Sequence, residues 1–321
     1  MGKILTVSVA AYNVEKYIRE CLDCFIFPEI LDKIEVMIIN DGSSDNTQII
    51  AEEYQNNYPN TFRVINKENG GWGSTVNTGI EYANGKYFKQ LDGDDYFDKN
   101  TIINFIHLLE IHNEDLIYTN YLSFDDETGE IIDNINVHDE LSQKNIKLKD
   151  VAFDFTIAMH ACTFKTDILK KKEMSITEHC FYTDIEYMLK ALVRVQEVYF
   201  APINVYCYRL GRMGQSASIE GLRKHYKEHI KIVYKLLYFY NNLNECEEIK
   251  KIVYDRILLM IDYQYYIFMN LKPNGAHALE MKKFDQKIKI NYPDFYNTNR
   301  KRVKAFRLIG RLSYPFLVYR K

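Results

Sequence analysis

Short apolar runs alternate, through residues 1–92, with segments whose apolar positions recur every three or four residues. Residues 4–10 are almost wholly apolar, as a strand covered on both faces requires. Tyr12 and Asn13 break the run. Tyr17, Ile18, Cys21, Leu22 and Phe25 then give residues 14–27 helical spacing, until Pro28 closes the segment. The next runs predict a strand over 34–39, a helix over 46–58 with Asp45 as its cap, a strand over 62–65, a helix over 75–83 and a strand over 86–91. Further on, 115–124, 157–164 and 205–209 read as strands, 185–195 as a helix, and 125–130 as a surface hairpin.

This β–α alternation predicts an α/β fold, a mostly parallel central sheet with helices on both faces. Ligands of such sheets bind at the carboxyl ends of the strands. Four polar or glycine-rich clusters fall there: Tyr12-Asn13, Asn40-Asp41-Gly42-Ser43, Asn69-Gly70-Gly71 and Asp92-Gly93-Asp94. Glycines permit positive φ and close backbone approach to a ligand. Gly73-Ser74 opens a helix whose free N–H groups suit an anion. Asp92, Asp94 and Asp95 repel one another unless a cation sits among them, and a hard divalent ion takes oxygen ligands while keeping positions for phosphates. The bland alternative, a solvated Asp-Gly turn, explains one cluster but not four on one rim. No complete GxGxxG follows the first strand, and no Gly-Lys-Ser/Thr is present, which excludes the dinucleotide and P-loop signatures.

Composition changes the picture little. Of 321 residues, 47% are hydrophobic and 26% charged, with a net charge of −3, ordinary for a globular chain and unsuited to gripping nucleic acid broadly. Cys21 and Cys24 have CxxC spacing, but no second pair completes a zinc site. Met1-Gly2-Lys3 leads directly into a strand, with no signal peptide and no apolar stretch near the ~20 residues of a membrane span, so reduced thiols and a cytoplasmic location are expected. Beyond residue 220 the pattern turns helical, over 222–240, 245–271 and 276–290, without catalytic motifs. Residues 300–321 are basic and amphipathic, which predicts contact with an anionic membrane surface; packing on the domain is the alternative.

Val7-Ser8-Val9-Ala10-Ala11-Tyr12-Asn13, the stretch 36–47 around Asn40-Asp41-Gly42-Ser43, Asn69-Gly70-Gly71 with Asn77-Thr78-Gly79, and Leu91-Asp92-Gly93-Asp94-Asp95 together resemble the family-2 glycosyltransferases of the GT-A fold. The resemblance is dense over about the first hundred residues and thin from there to about 216. It implies an inverting, metal-dependent transfer from a nucleotide-diphosphate sugar, usually UDP-linked, with Mn²⁺ or Mg²⁺ as cofactor. It implies Ala10 and Tyr12 along the base, Asp41 on the uracil ring, Asn69 and Gly71 in the donor loop, Asp92 near ribose or metal, and Asp94 as metal ligand. It implies Asp184 as the base, with Glu186 second. His160 is either an acceptor-pocket residue or a core histidine. Arg209 and Arg212 are either diphosphate clamps or surface arginines. The chain departs from the family where Ala11 replaces the usual Pro before Tyr-Asn and where Val76 replaces an Arg.

The organisation expected is a catalytic domain over 1–219 and a helical region over 220–321. The activity expected is sugar transfer to a glycan or lipid-linked acceptor in bacterial-type cell-surface polysaccharide synthesis, at the inner face of the membrane, with no nucleic-acid partner. Two other classes remain open: a nucleotidyltransferase of related fold, which would want basic residues near the first strand where only Lys3 stands, and an inert nucleotide-sugar-binding module.

Overall fold

The structure is a computed structural model and describes residues 2–151, 157–212, 218–272, 274–296, and 301, 303, 304 and 307. It forms two compact units, residues 1–212 and 213–321. In the first, β1 (Leu5–Ala11), β2 (Ile34–Asn40), β3 (Phe62–Asn66) and β4 (Tyr87–Asp92) alternate with α1 (Ile18–Asp23), α2 (Thr47–Asn57) and α3 (Trp72–Tyr82). These strands pair in parallel in the order β3-β2-β1-β4, with Ala10 opposite Ile39 on one side and Asp92 on the other. Leu5, Val7 and Val9 are fully buried on one face of β1, and Thr6 and Ser8 on the other, so the strand is sealed from both sides.

The other half of the sheet is mixed. It comprises β5 (Tyr96–Phe97), β6 (Leu116–Asp125), β7 (Ile131–Ile135), β8 (Asn145–Lys147), β9 (Cys162–Lys165) and β10 (Glu197–Leu210). β9 is antiparallel to both β4 and β6, and β10 runs parallel to β6. The expected parallel sheet therefore holds on one side of β9 and in the β6–β10 pair. The strand expected over 157–164 shortens to β9, because Met159–Ala161 turns as a 3-10 helix before it. Helix α4 (Ile102–Ile111) is absent from the periodicity reading: its apolar residues lie nearly all round and blur the stripe. The regular part of α1 is shorter than 14–27, and α2 is capped at Asn46, with Asp45 Oδ1 accepting the Thr47 N–H at 3.0 Å.

The second unit holds α7 (Ile219–Asn241), α8 (Glu247–Asn270), α9 (Gly275–Asn291) and α10 (Pro293–Tyr296); α5 (Thr166–Leu169) and α6 (Thr183–Leu192) belong to the first. No helix among the described residues is long and apolar enough to cross a membrane. Most of the basic tail 300–321 lies outside the described residues, as does 213–217 of the expected loop. Two of the tail's described residues face inward. Val303 is buried, and Arg307 donates to Asp285 at 2.9 Å, to the Tyr265 hydroxyl at 3.1 Å and to the Tyr296 carbonyl. At Arg307 the tail packs on the helices, and that arginine is not available to lipid.

Candidate active site

Asp92 ends β4, and the chain turns at once through Gly93 to Asp94 and Asp95. The three carboxylates have separate surroundings. Asp95 is 1% exposed, accepts from the Tyr206 hydroxyl at 2.6 Å and from the Arg209 N–H at 2.7 Å, and so anchors the turn to β10. Burial and the charges of Asp94 and Asp92 push its pKa well above the usual carboxylate range. Asp92 accepts from the Trp72 indole N–H at 2.7 Å. Its pKa is raised to about 7, by burial first and then by the charge of Asp94, with Asp184 adding to it and Trp72 opposing. Asp94 forms an ion pair with Arg212.

Among the described residues no three His, Cys, Asp or Glu side chains form a metal-holding group. A hard cation shared between one or two carboxylates and substrate phosphates needs no such trio. Asp92 and Asp94 fit that use, since the charge of Asp94 bears on buried Asp92, which a cation would relieve, and Asp94 already draws a cation in Arg212.

Arg209, expected on the diphosphate or at the surface, is not a surface arginine. It is 6% exposed and donates to the Asp94 carbonyl at 2.7 Å, to Asp126 at 2.9 Å and to Glu20 at 2.5 Å. Acids from α1 and the β6–β7 turn thus hold it, and through it the Asp94 turn. Arg212 is the more exposed of the two arginines.

The second and third clusters form one loop pair. Asp41 is 2% exposed; Oδ1 accepts from Lys67 at 2.8 Å and Gly70 N at 2.9 Å, and Oδ2 from Gly71 N at 2.8 Å. Asn69 donates its side-chain amide to the Asp41 carbonyl at 2.9 Å. Gly71 sits at φ +79, where a side chain would be strained, and caps α3. Gly73 serves contact within the chain rather than a ligand: a Cβ there would lie 2.1 Å from the Thr177 carbonyl oxygen. Ala10 stands at the rim between Ile39 and Asp92, and Tyr12 is 53% exposed beyond it. Asn13, at φ +51, accepts from the Ser44 N–H at 2.8 Å and ties the first loop to the second.

Asp184 comes from a stretch of chain far from the Asp92 turn in sequence. Asn77 of α3 donates to the Ile176 carbonyl at 2.9 Å and accepts its N–H at 2.7 Å, and Gly70 accepts from His179 N at 2.5 Å. The segment 176–180 is therefore laced to α3, and α6 starts three residues later behind Tyr182, held at φ +65. Asp184 lies in the first turn of α6, close enough to raise the pKa of Asp92. Glu186 is instead buried, accepts from Thr177 N at 3.0 Å and pairs with Lys190 at 2.9 Å. Burial would raise its pKa, but those donors outweigh it and hold it low. A carboxylate so occupied braces the segment and is poorly placed to take a proton.

His160 lies in the 3-10 turn, stacked on Tyr208 at 4.3 Å and edge-on to Tyr206 at 4.7 Å, with Nδ1 buried and unpartnered. Its pKa falls to about 3, by burial and then by the nearby Lys89 ammonium. It is thus neither in an apolar strand nor a satisfied core histidine. Sequence reasoning missed Trp72, Tyr206, Lys67 and the bracing role of Asn77. Trp72 alone left a signal, as the one Trp of the chain, inside its Gly-rich turn.

A sheet of this order, with its carboxylates at the end of β4 and a helical unit following, has the layout of the GT-A fold. The profile of glycosyl transferase family 2 matches residues 6–181, more than half of the chain, and the chain belongs to that family. Chondroitin synthase of Pasteurella multocida (strain Pm70) is 26% identical over 299 residues, 91% of this chain and 29% of that protein. The minor teichoic acid biosynthesis protein GgaB of Bacillus subtilis (strain 168) is 30% identical over 219 residues, 66% of this chain and 23% of that protein. The chain spans less than a third of either relative's length. Among solved structures, S. aureus TarS 1-349 in complex with UDP-GlcNAc matches with TM-score 0.60 at 22% identity, over 98% of this chain and 86% of that one, a likeness of fold. The protein is a family-2 glycosyltransferase.

Proposed function

We propose that the chain moves a sugar from a nucleotide-diphosphate donor, UDP-linked, to a hydroxyl of a glycan or lipid-linked acceptor, with inversion at the sugar carbon, in cell-surface polysaccharide synthesis at the cytoplasmic face of the membrane. The observation that carries this reading is the approach of Asp184, from a distant stretch of chain, to the turn that holds Asp92 and Asp94. The polymers named in the two curated relatives and the UDP-GlcNAc bound to the structural neighbour support it.

In this mechanism Ala10 and Tyr12 line the base. Asp41 takes the uracil N–H on Oδ2, since a carboxylate oxygen accepts more than the single bond from Gly71. Asn69 and Gly71 keep that loop closed on Asp41. Asp94, with Asp92 beside it, would hold Mn²⁺ or Mg²⁺, which when bound supplies Lewis-acid neutralisation of the leaving diphosphate. Arg212 exchanges Asp94 for the diphosphate oxygens, a move its partial exposure allows. The acceptor oxygen attacks the sugar carbon and its proton passes to the Asp184 carboxylate. The bond to the diphosphate breaks, and its electron pair leaves with the phosphate oxygen. Arg209 and Asp95 stay in place and keep the turn rigid.

Titration calorimetry with UDP, with and without Mn²⁺, tests the donor half. NMR of the product's anomeric proton tests inversion. Heat from UDP that ignores the metal, or a product with the donor's own anomeric configuration, would contradict this mechanism.

A further inference from the structure

We propose that Tyr121, His160 and Tyr208 form the subsite for the acceptor sugar, and that the Tyr208 hydroxyl donates to an oxygen of that sugar. This deepens the reading above, on which it rests for the direction of transfer.

Tyr206 and Tyr208 stand two residues apart on β10, so both side chains lie on one face of the sheet. Tyr206 is buried, and its hydroxyl is committed to the acidic turn: it donates to Asp95 at 2.6 Å and accepts from Asp92 N at 3.2 Å. Tyr208 is half-buried on that same face. Burial raises its pKa, and the charges of Asp95, Asp92, Asp94 and Asp184 raise it further, in that order. The phenol is therefore within electrostatic reach of both the turn and Asp184, and it keeps its proton. Among the described residues none accepts from its hydroxyl. A protonated phenol beside four carboxylates, bonded to none of them, is a donor open to a ligand.

The rings beside it make a surface. His160 stacks on Tyr208 with centroids 4.3 Å apart and planes at 27°, and Tyr121 lies tilted against His160 at 5.2 Å. Tyr121 and His160 are half-buried, as Tyr208 is. Burial and Lys89 lower the pKa of His160 to about 3, so the imidazole is neutral and the three rings bring no charge. Apolar ring faces with a hydroxyl at their edge suit a pyranose, which has an apolar C–H face and hydroxyls around its rim.

The place of the cluster selects the acceptor over the donor. The Asp41 loop follows β2, and the Asp92 turn follows β4. Tyr121 and Tyr208 stand on β6 and β10, beyond β9, which pairs with β4 on the side away from β1 and β2. The cluster is thus across the acidic turn from the nucleotide loop. An inverting displacement needs its nucleophile on the face of the sugar opposite the leaving group. With the diphosphate on the nucleotide side, the acceptor enters from the side of these rings, where Asp184 is in reach.

The test uses the full chain with UDP and Mn²⁺. Saturation-transfer NMR measures binding of the methyl β-glycosides of GlcNAc, galactose and glucose, and calorimetry measures UDP and UDP-GlcNAc. At least one glycoside should bind wild type, with transfer to its ring protons. Tyr208→Phe keeps the ring and should weaken that binding about 3- to 10-fold, the worth of one neutral hydrogen bond. Tyr208→Ala removes the ring and should weaken it further. Affinities for UDP and UDP-GlcNAc should stay unchanged in Tyr208→Phe. Equal glycoside binding by wild type and Tyr208→Phe overturns the proposal, as does a wild type that binds no glycoside. So does a Tyr208→Phe that loses UDP-GlcNAc while keeping UDP, which would give the hydroxyl to the donor sugar. A wild type whose glycoside binding depends on Tyr208 but which does not bind UDP sustains the subsite and sinks the donor reading instead.

Discussion

On the proposed mechanism Asp94 and Asp184 have separable jobs, and single substitutions should separate them. Asp94→Ala removes the proposed metal ligand and frees Arg212; UDP affinity should then lose its metal dependence while the melting temperature changes little. Undiminished Mn²⁺-dependent UDP binding in that variant would remove the centre of the mechanism. Asp184→Asn should keep donor affinity and lower turnover by ~10²-fold or more, the usual cost of a missing general base. A full-rate Asp184→Asn with a dead Glu186→Gln would shift the base, although Glu186 is already held by Thr177 and Lys190. A third residue reports on pH. Lys89 is fully buried and donates to the His160 and Cys162 carbonyls at 2.8 and 3.2 Å; burial lowers its pKa from 10.5 to about 7. Between those values the unfolded chain holds the proton and the folded chain does not, so this residue's contribution to stability rises with pH from about 7 toward 10.5. Denaturation midpoints of wild type minus Lys89→Met should therefore climb across that window. A flat difference would show that Lys89 keeps its proton in the fold.

At the scale of elements, α3 is the hinge of the design. Its N-terminus meets Asp41 through Gly71, Trp72 reaches Asp92, and Asn77 laces the segment that delivers Asp184. One helix thus joins the Asp41 loop, the Asp92 turn and the segment that leads to Asp184. Its fit depends on Gly73, where any Cβ meets the Thr177 carbonyl. Gly73→Ala should cost about 1–3 kcal/mol of stability, the range for overpacking a tight contact. It should also lower kcat more than UDP affinity, because the displaced segment leads to Asp184 and not to Asp41. Equal losses in both parameters would argue that the segment serves the nucleotide instead.

At the scale of the whole molecule, the tail's role turns on Arg307. Its guanidinium is mostly buried and bonded to Asp285, Tyr265 and Tyr296. Arg307→Met would leave the Asp285 carboxylate without its cation, a change that costs about 3 kcal/mol at buried pairs. Amide hydrogen exchange in α8 and α9 should accelerate accordingly. Unchanged protection there would mean that the tail contributes no stability at this point.

What the residues determined alone is the β–α alternation through β4 and the position of the polar clusters. Both are local: an apolar run between glycines marks a buried strand, and the turn after it must lie at the strand's end. Asp92, Asp94 and Asp41 were legible for that reason, and Asp184 only through resemblance to a family. Tertiary structure decided what no local pattern encodes. It inserted β9 antiparallel between β4 and β6, so that 3-10 residue His160 came against Tyr208. It divided like residues by partner: Asp95 and Glu186 became braces, while Asp94 paired with Arg212 and the proximity of Asp94 raised the pKa of buried Asp92. It drew Arg209 inward to the Asp94 carbonyl, Asp126 and Glu20 and left Arg212 nearer solvent. The cause is the same each time. A side chain's chemistry is set by the groups packed around it, and those come from parts of the chain that sequence spacing does not bring together.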